Sequence, residues 1–142
     1  MLSVTITVSL NDGTVQYQSS DEAVVSVAGT AAGTRLNLLP TANDSDFTLT
    51  FSAGADIDSL NSLTTPASAF GGSPLVPDAN GIIVMTCSVT PDFYNTAFHT
   101  ELEYTAAGAR LRHDPTIVFN PPSGGTPVQL AEAPVAAEPV IV

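Results

Sequence analysis

"LSVTITVSLNDGTVQYQ", residues 2–18, decides the fold. Val4, Ile6, Val8 and Leu10 alternate with Ser3, Thr5, Thr7 and Ser9. An extended chain with that alternation has one apolar face and one wet face. Asn11-Asp12-Gly13 follows, a tight-turn sequence whose glycine accepts positive φ. Residues 14–18, "TVQYQ", alternate again and pair back as the second arm of a hairpin. A period of two, rather than the 3.6 of a helix, therefore governs the local structure.

The pattern continues outward. "EAVVSVA" (22–28), "TRLNLL" (34–39) and "DFTLTFS" (46–52) are strand-like and bounded by Gly, Pro, Asn or Asp, and three further strands are expected at 81–90, 93–105 and 109–119. Residues 53–80 are rich in turn formers, with one helical turn expected near Asp58–Leu63. No segment carries a convincing helical apolar stripe. Seven to nine short strands with frequent turns predict an all-β fold: an antiparallel β-sandwich, immunoglobulin-like in general architecture. Residues 1–120 form that domain. Residues 121–142, "PPSGGTPVQLAEAPVAAEPVIV", form a Pro/Ala-rich extended C-terminal tail, partly polyproline II, whose final "PVIV" suits a sheet edge.

Composition narrows the function. The 142 residues suffice for one core, and no apolar run is long enough to span a bilayer. Fourteen acidic residues face three arginines with no lysine, a formal charge of −11. That charge repels phosphate backbones and anionic lipid, so neither nucleic acid nor a membrane surface is an expected partner. The amino terminus alternates instead of showing the basic and apolar regions of a signal peptide, which makes the cytoplasm the default expectation. Cys87 stands alone, so an internal disulfide and a multi-cysteine metal site are excluded. It shares a strand face with Ile83, Met85 and Val89 and is expected in the core. "NDSD" (43–46) and "DID" (56–58) place carboxylates at alternate loop positions, but no EF-hand spacing is present and solvated loop acids are expected. No phosphate loop, zinc-ligand pair or Gly-x-Ser-x-Gly elbow appears, and no cofactor or metal is expected.

The chemistry-bearing stretch is "AFHTELEYTAAGARLRHDP", residues 97–115. With Thr105–Gly108 as a four-residue loop, Glu103 faces Arg110, Leu102 faces Leu111 and Glu101 faces Arg112. Cross-strand ion pairs of this kind contribute a few tenths to about 1 kcal/mol each. Continued further, that register sets His99 opposite Asp114, and His113 opposite Thr100 on the other face. An imidazole beside Asp114 gives the Asp114-Pro115 bond a route to scission. The Asp114 carboxylate attacks its own backbone carbonyl to form a five-membered anhydride, a geometry with effective molarities on the order of 10⁵–10⁸ M. A protonated histidine supplies the proton with which the Pro115 nitrogen departs. Glu101, Glu103 and Asp92 are candidates to position the hydrolytic water. Asp-Pro is also a common turn dipeptide, and proline is tolerated at the first residue of a strand.

"HDPTIVFNPP", residues 113–122, resembles the carboxyl-terminal region of the bacterial DP-EP family, in which an Asp-Pro step is followed by an aliphatic strand and a second acidic- or polar-Pro dipeptide. Length and strand pattern are similar over the whole domain. The resemblance implies a β-sandwich with self-cleaving, self-assembling endopeptidase behaviour of an aspartic type, and Asp114 and Pro115 as the scissile pair. The second dipeptide is either Asn120-Pro121, with Asn in place of Glu, or Glu138-Pro139. The family's aspartyl intermediate can be trapped by a lysine; this chain has none, and His99 is expected where such an amine would reach. The function expected is thus self-processing, with the released strand staying bound or exchanging into a neighbouring copy, the chain itself being its own partner. A non-catalytic structural or interaction module on the same sandwich is the alternative.

Overall fold

The computed structural model describes residues 2–30, 33–39, 46–66, 70, 74–88 and 91–121. Residues 122–142 of the proposed tail, the first part of "NDSD" and Val89 lie outside the described residues. Among the described residues eleven strands form: β1 (Leu2–Asn11), β2 (Thr14–Ser19), β3 (Val25–Thr30), β4 (Gly33–Leu38), β5 (Asp46–Ala53), β6 (Ser59–Thr64), β7 (Ile83–Ser88), β8 (Ala97–His99), β9 (Glu101–Ala106), β10 (Ala109–His113) and β11 (Thr116–Phe119). A 3-10 turn covers Pro91–Phe93. The architecture is all-β and sandwich-like. Among the described residues no helix is long and apolar enough to cross a membrane.

The strands make three packed sheets, ordered β2-β1-β5-β7, β10-β9-β6 and β3-β4-β11-β8. The first hairpin forms as expected: Asn11 faces Thr14 across Asp12 and Gly13, whose φ values of 54° and 80° give the doubly left-handed turn that matches strand twist. Two ladders are parallel, β1 with β5 and β4 with β11, so the fold is mixed where an antiparallel one was expected. Eleven strands exceed seven to nine because two long strands are each interrupted, at Thr100 and at Asp114-Pro115.

The helical turn expected near Asp58–Leu63 is instead β6. Leu60 and Leu63 are both buried although three residues apart, a spacing that mimics a helix. A bulge between Leu60 and Ser62 produces it by inserting one residue into the alternation.

The core is the sum of the inward faces. Ile6, Val8, Leu36, Leu38, Leu49 and Met85 are fully buried, and Cys87 joins them as expected. Phe119 stacks on Phe70 and Phe93 at centroid distances of 5.9 Å and meets Phe98 edge-on at 5.4 Å. Each such side chain contributes roughly 1.5–3 kcal/mol of burial. β11, which carries Phe119, is therefore anchored in the middle of its sheet.

Candidate functional site

The site is the corner where one long ribbon passes from sheet to sheet. Residues 97–118 form a single hairpin. His113 faces Leu102 before the interruption and Thr116 faces His99 after it, in one unbroken register. Asp114 therefore falls opposite Glu101, and Pro115 opposite Thr100. The first half of the ribbon pairs with β6 and the second half with β4.

The loop has two residues, Ala107 and Gly108, and not four. Both adopt positive φ, 51° and 78°, which closes the hairpin tightly. Every partner on the second arm consequently moves by two positions: Arg110 faces Thr105 and Arg112 faces Glu103. An even shift keeps each side chain on its own face. The expected ion pairs thus survive as diagonal contacts, Arg110 Nε to Glu103 Oε2 at 3.1 Å and Arg112 Nη1 to Glu101 Oε2 at 3.3 Å.

The same shift overturns the placement of both histidines. His99 lies opposite Thr116, its Nδ1 3.5 Å from the Thr116 hydroxyl, and not opposite Asp114. His113 lies opposite Leu102 and not opposite Thr100. His113 faces inward, where its Nδ1 is 2.8 Å from the Tyr17 hydroxyl and the two rings are 5.4 Å apart. Glu101 is brought to Asp114 by the backbone register. Asp92 begins no strand; it sits in the 3-10 turn.

Hydrogen bonding fixes the two sides of the scissile candidate differently. The Thr100 N–H at 3.2 Å and the Thr100 hydroxyl at 2.7 Å both donate to the Pro115 carbonyl. Proline has no N–H to return, so half of that ladder step is missing. Thr100 is buried and supplies a second donor in its place. Backbone groups alternate in direction along a strand, so those of Asp114 turn away from β9, to the side on which β11 meets β4 and β10 has no partner among the described residues. Among the described residues the Asp114 carbonyl accepts no hydrogen bond. Its side chain is exposed while Pro115 is buried.

Burial sets the protonation states of the inner pair. Burial, with smaller contributions from Tyr104 and the Asp114 carboxylate, drives the Tyr17 phenol far above its usual range. Burial lowers His113 below 6.5, and the Asp114 carboxylate opposes that shift without cancelling it. With the phenol protonated and the ring neutral, Tyr17 and His113 share one hydrogen bond between the hydroxyl and Nδ1, whose direction follows the imidazole tautomer. The Cys87 thiol is pushed up to about 12 by burial first and Asp46 second, which leaves it inert. Ser88 donates to Asp46 and the Gly108 N–H donates to Asp58, while Asp56 occupies a left-handed turn. Among the described residues no three His, Cys, Asp or Glu side chains converge as metal ligands.

Two participants were missed from sequence. Thr100 carried a signal: it is a polar residue at an inward position of the Thr100-Leu102-Tyr104 alternation, which implies a buried hydrogen bond. Tyr17 carried none, because 96 residues separate it from His113 and only the packing of β2 against β10 joins them. The arrangement places a carboxyl group beside a backbone carbonyl that accepts no hydrogen bond among the described residues, a second carboxylate across the ribbon, and an imidazole one residue away. The chain matches no family model and no curated protein.

Proposed function

We propose that this is a self-processing β-sandwich protein that cleaves its own Asp114-Pro115 bond. The observation that carries this reading is that, among the described residues, the Asp114 carbonyl accepts no hydrogen bond, while the adjoining Pro115 carbonyl accepts two. A carbonyl locked in a ladder would resist pyramidalisation; this one is accessible to its own carboxylate and to water. The Asp114 carboxylate oxygen bonds to that carbonyl carbon, the C–N bond to Pro115 breaks, and the nitrogen leaves with one proton. Water then opens the anhydride, restoring the side-chain carboxyl and creating a new α-carboxyl. His113 replaces His99 as the nearest proton source, because it adjoins Asp114 and shares a ribbon face with Pro115. Glu101, opposite Asp114, is the carboxylate placed to orient the water. The resemblance of "HDPTIVFNPP" to the DP-EP family supports the same bond. A partner of the same kind fits as well: strand exchange of the released piece between copies.

A second reading is an uncut interaction module. It is favoured by the position of Pro115, where the ribbon changes sheets and a missing N–H eases the bend, which is sufficient reason for a proline there. Intact mass of purified protein held for days at pH 5–7 separates the two. Self-processing yields residues 1–114 and 115–142, and Asp114→Ala yields neither. A constant mass at every pH and age defeats the proposal in favour of the uncut module.

A further inference from the structure

We infer that the open edge of β10 is a docking site for an extended acidic peptide, held by β-augmentation. This goes beyond self-processing and does not depend on it. Among the described residues β10 pairs with β9 on one side only and ends its sheet on the other. The hydrogen-bonded steps with β9 fall at Ala109, Leu111 and His113, so the N–H and C=O groups of Arg110, Arg112 and Asp114 point outward, a ladder template three steps long. Residues 109–112 are all exposed, and Leu111 is 40% exposed on the inner face.

Charge names the occupant. Two of the three arginines in a chain of net charge −11 stand on this five-residue strand, their side chains 76% and 68% exposed. The existing neighbour shows what suits them: Glu101-Leu102-Glu103 presents carboxylates at alternate positions with an apolar residue between, and each arginine takes one carboxylate. A guanidinium has five donors and can hold a second carboxylate from the other side. A strand of the same acidic-apolar-acidic pattern on the open edge would meet both arginines and cover Leu111. A second β10 would not, because antiparallel self-pairing about Leu111 sets Arg110 against Arg112. Arginines at a sheet edge guard against indiscriminate pairing; here they also select a carboxylate-bearing strand.

The test uses full-length protein carrying Asp114→Ala, so that cleavage plays no part. The probe is a synthetic peptide with the β9 sequence Thr100–Thr105, TELEYT, and a control with both Glu replaced by Gln. Calorimetry should show saturable binding of the acidic peptide, at least tenfold weaker for the Gln control, and similarly weakened by Arg110→Gln with Arg112→Gln in the protein. Amide exchange should slow at Arg110, Arg112 and residue 114 on binding, while Ala109, Leu111 and His113 stay unchanged. Equal affinity for both peptides, protection elsewhere, no binding, or protection of those amides by self-association without peptide overturns the proposal. The peptide-side control keeps the test decisive if the double variant fails to fold.

Discussion

At the scale of single residues, the His113–Tyr17 contact joins β10 to β2 through one hydrogen bond of 2.8 Å. Burial keeps the ring neutral, so folding and protonation of His113 oppose each other. As pH falls, the unfolded chain takes up the proton near 6.5, ahead of the folded one. Stability is complete above about pH 6.5 and declines as pH drops from there toward the lowered folded value. Urea midpoints should therefore fall between pH 7 and 5.5 in the native protein, and His113→Gln should flatten that slope. A slope unchanged by the substitution would place the titration elsewhere. The phenol matters separately: Tyr17→Phe leaves a part-buried Nδ1 without its partner and should cost about 1 kcal/mol at pH 7.5. The same lowered pKa bears on chemistry. A histidine that is neutral at pH 7 is a poor proton source there, so any cleavage assisted by His113 should quicken on acidification below its ordinary range.

At the scale of the element, the hairpin shows how far pattern carries and where it stops. The two faces of residues 97–118 were legible, because side-chain alternation is indifferent to an even slip in pairing. The ion partners were legible too, because strand twist brings diagonal neighbours within reach of long side chains. The register itself was not. A two-residue turn of the type I′ form seen here requires positive φ at both positions, and Ala107 is not a residue that announces it; "TAAG" therefore suggests a longer loop. That mismatch has a measurable consequence. A non-glycine residue in the left-handed region is strained by about 1 kcal/mol, and Ala107 sits at φ 51°. Ala107→Gly relieves the strain but loosens the unfolded chain, for a net gain of a few tenths of a kcal/mol, whereas Gly108→Ala should lose about 1 kcal/mol. Chemical denaturation of the two variants checks both signs. If Gly108→Ala proved neutral, the turn would not be the two-residue form. β6 failed for a related reason: its bulge inserts a residue, and an alternation with one insertion looks like a helix.

At the scale of the whole molecule, the parallel ladders were the least legible feature, since nothing local distinguishes a strand that pairs with its sequence neighbour from one that pairs with a distant strand. Yet one of them governs the fate of a cut chain. β11 lies between β4, parallel, and β8, antiparallel. It buries Ile117, Val118 and Phe119 together with Asn120, whose N–H donates to the Leu38 carbonyl. At roughly 1.5–3 kcal/mol per large apolar side chain, those three contacts outweigh what a break at Asp114-Pro115 removes, which is one covalent tether and, among the described residues, no hydrogen bond to the Asp114 carbonyl. β11 should accordingly stay paired with β4 and β8 after scission. Co-expression of residues 1–114 with residues 115–142 as separate chains tests this without relying on self-cleavage. The two should co-purify in equal amounts and unfold together. Phe119→Asp in the shorter chain, which puts a charge at the centre of the aromatic cluster, should abolish recovery of the pair. Independent elution of the native pieces would mean that β11 is held mainly by its covalent link, and strand exchange between copies would then lose its physical basis.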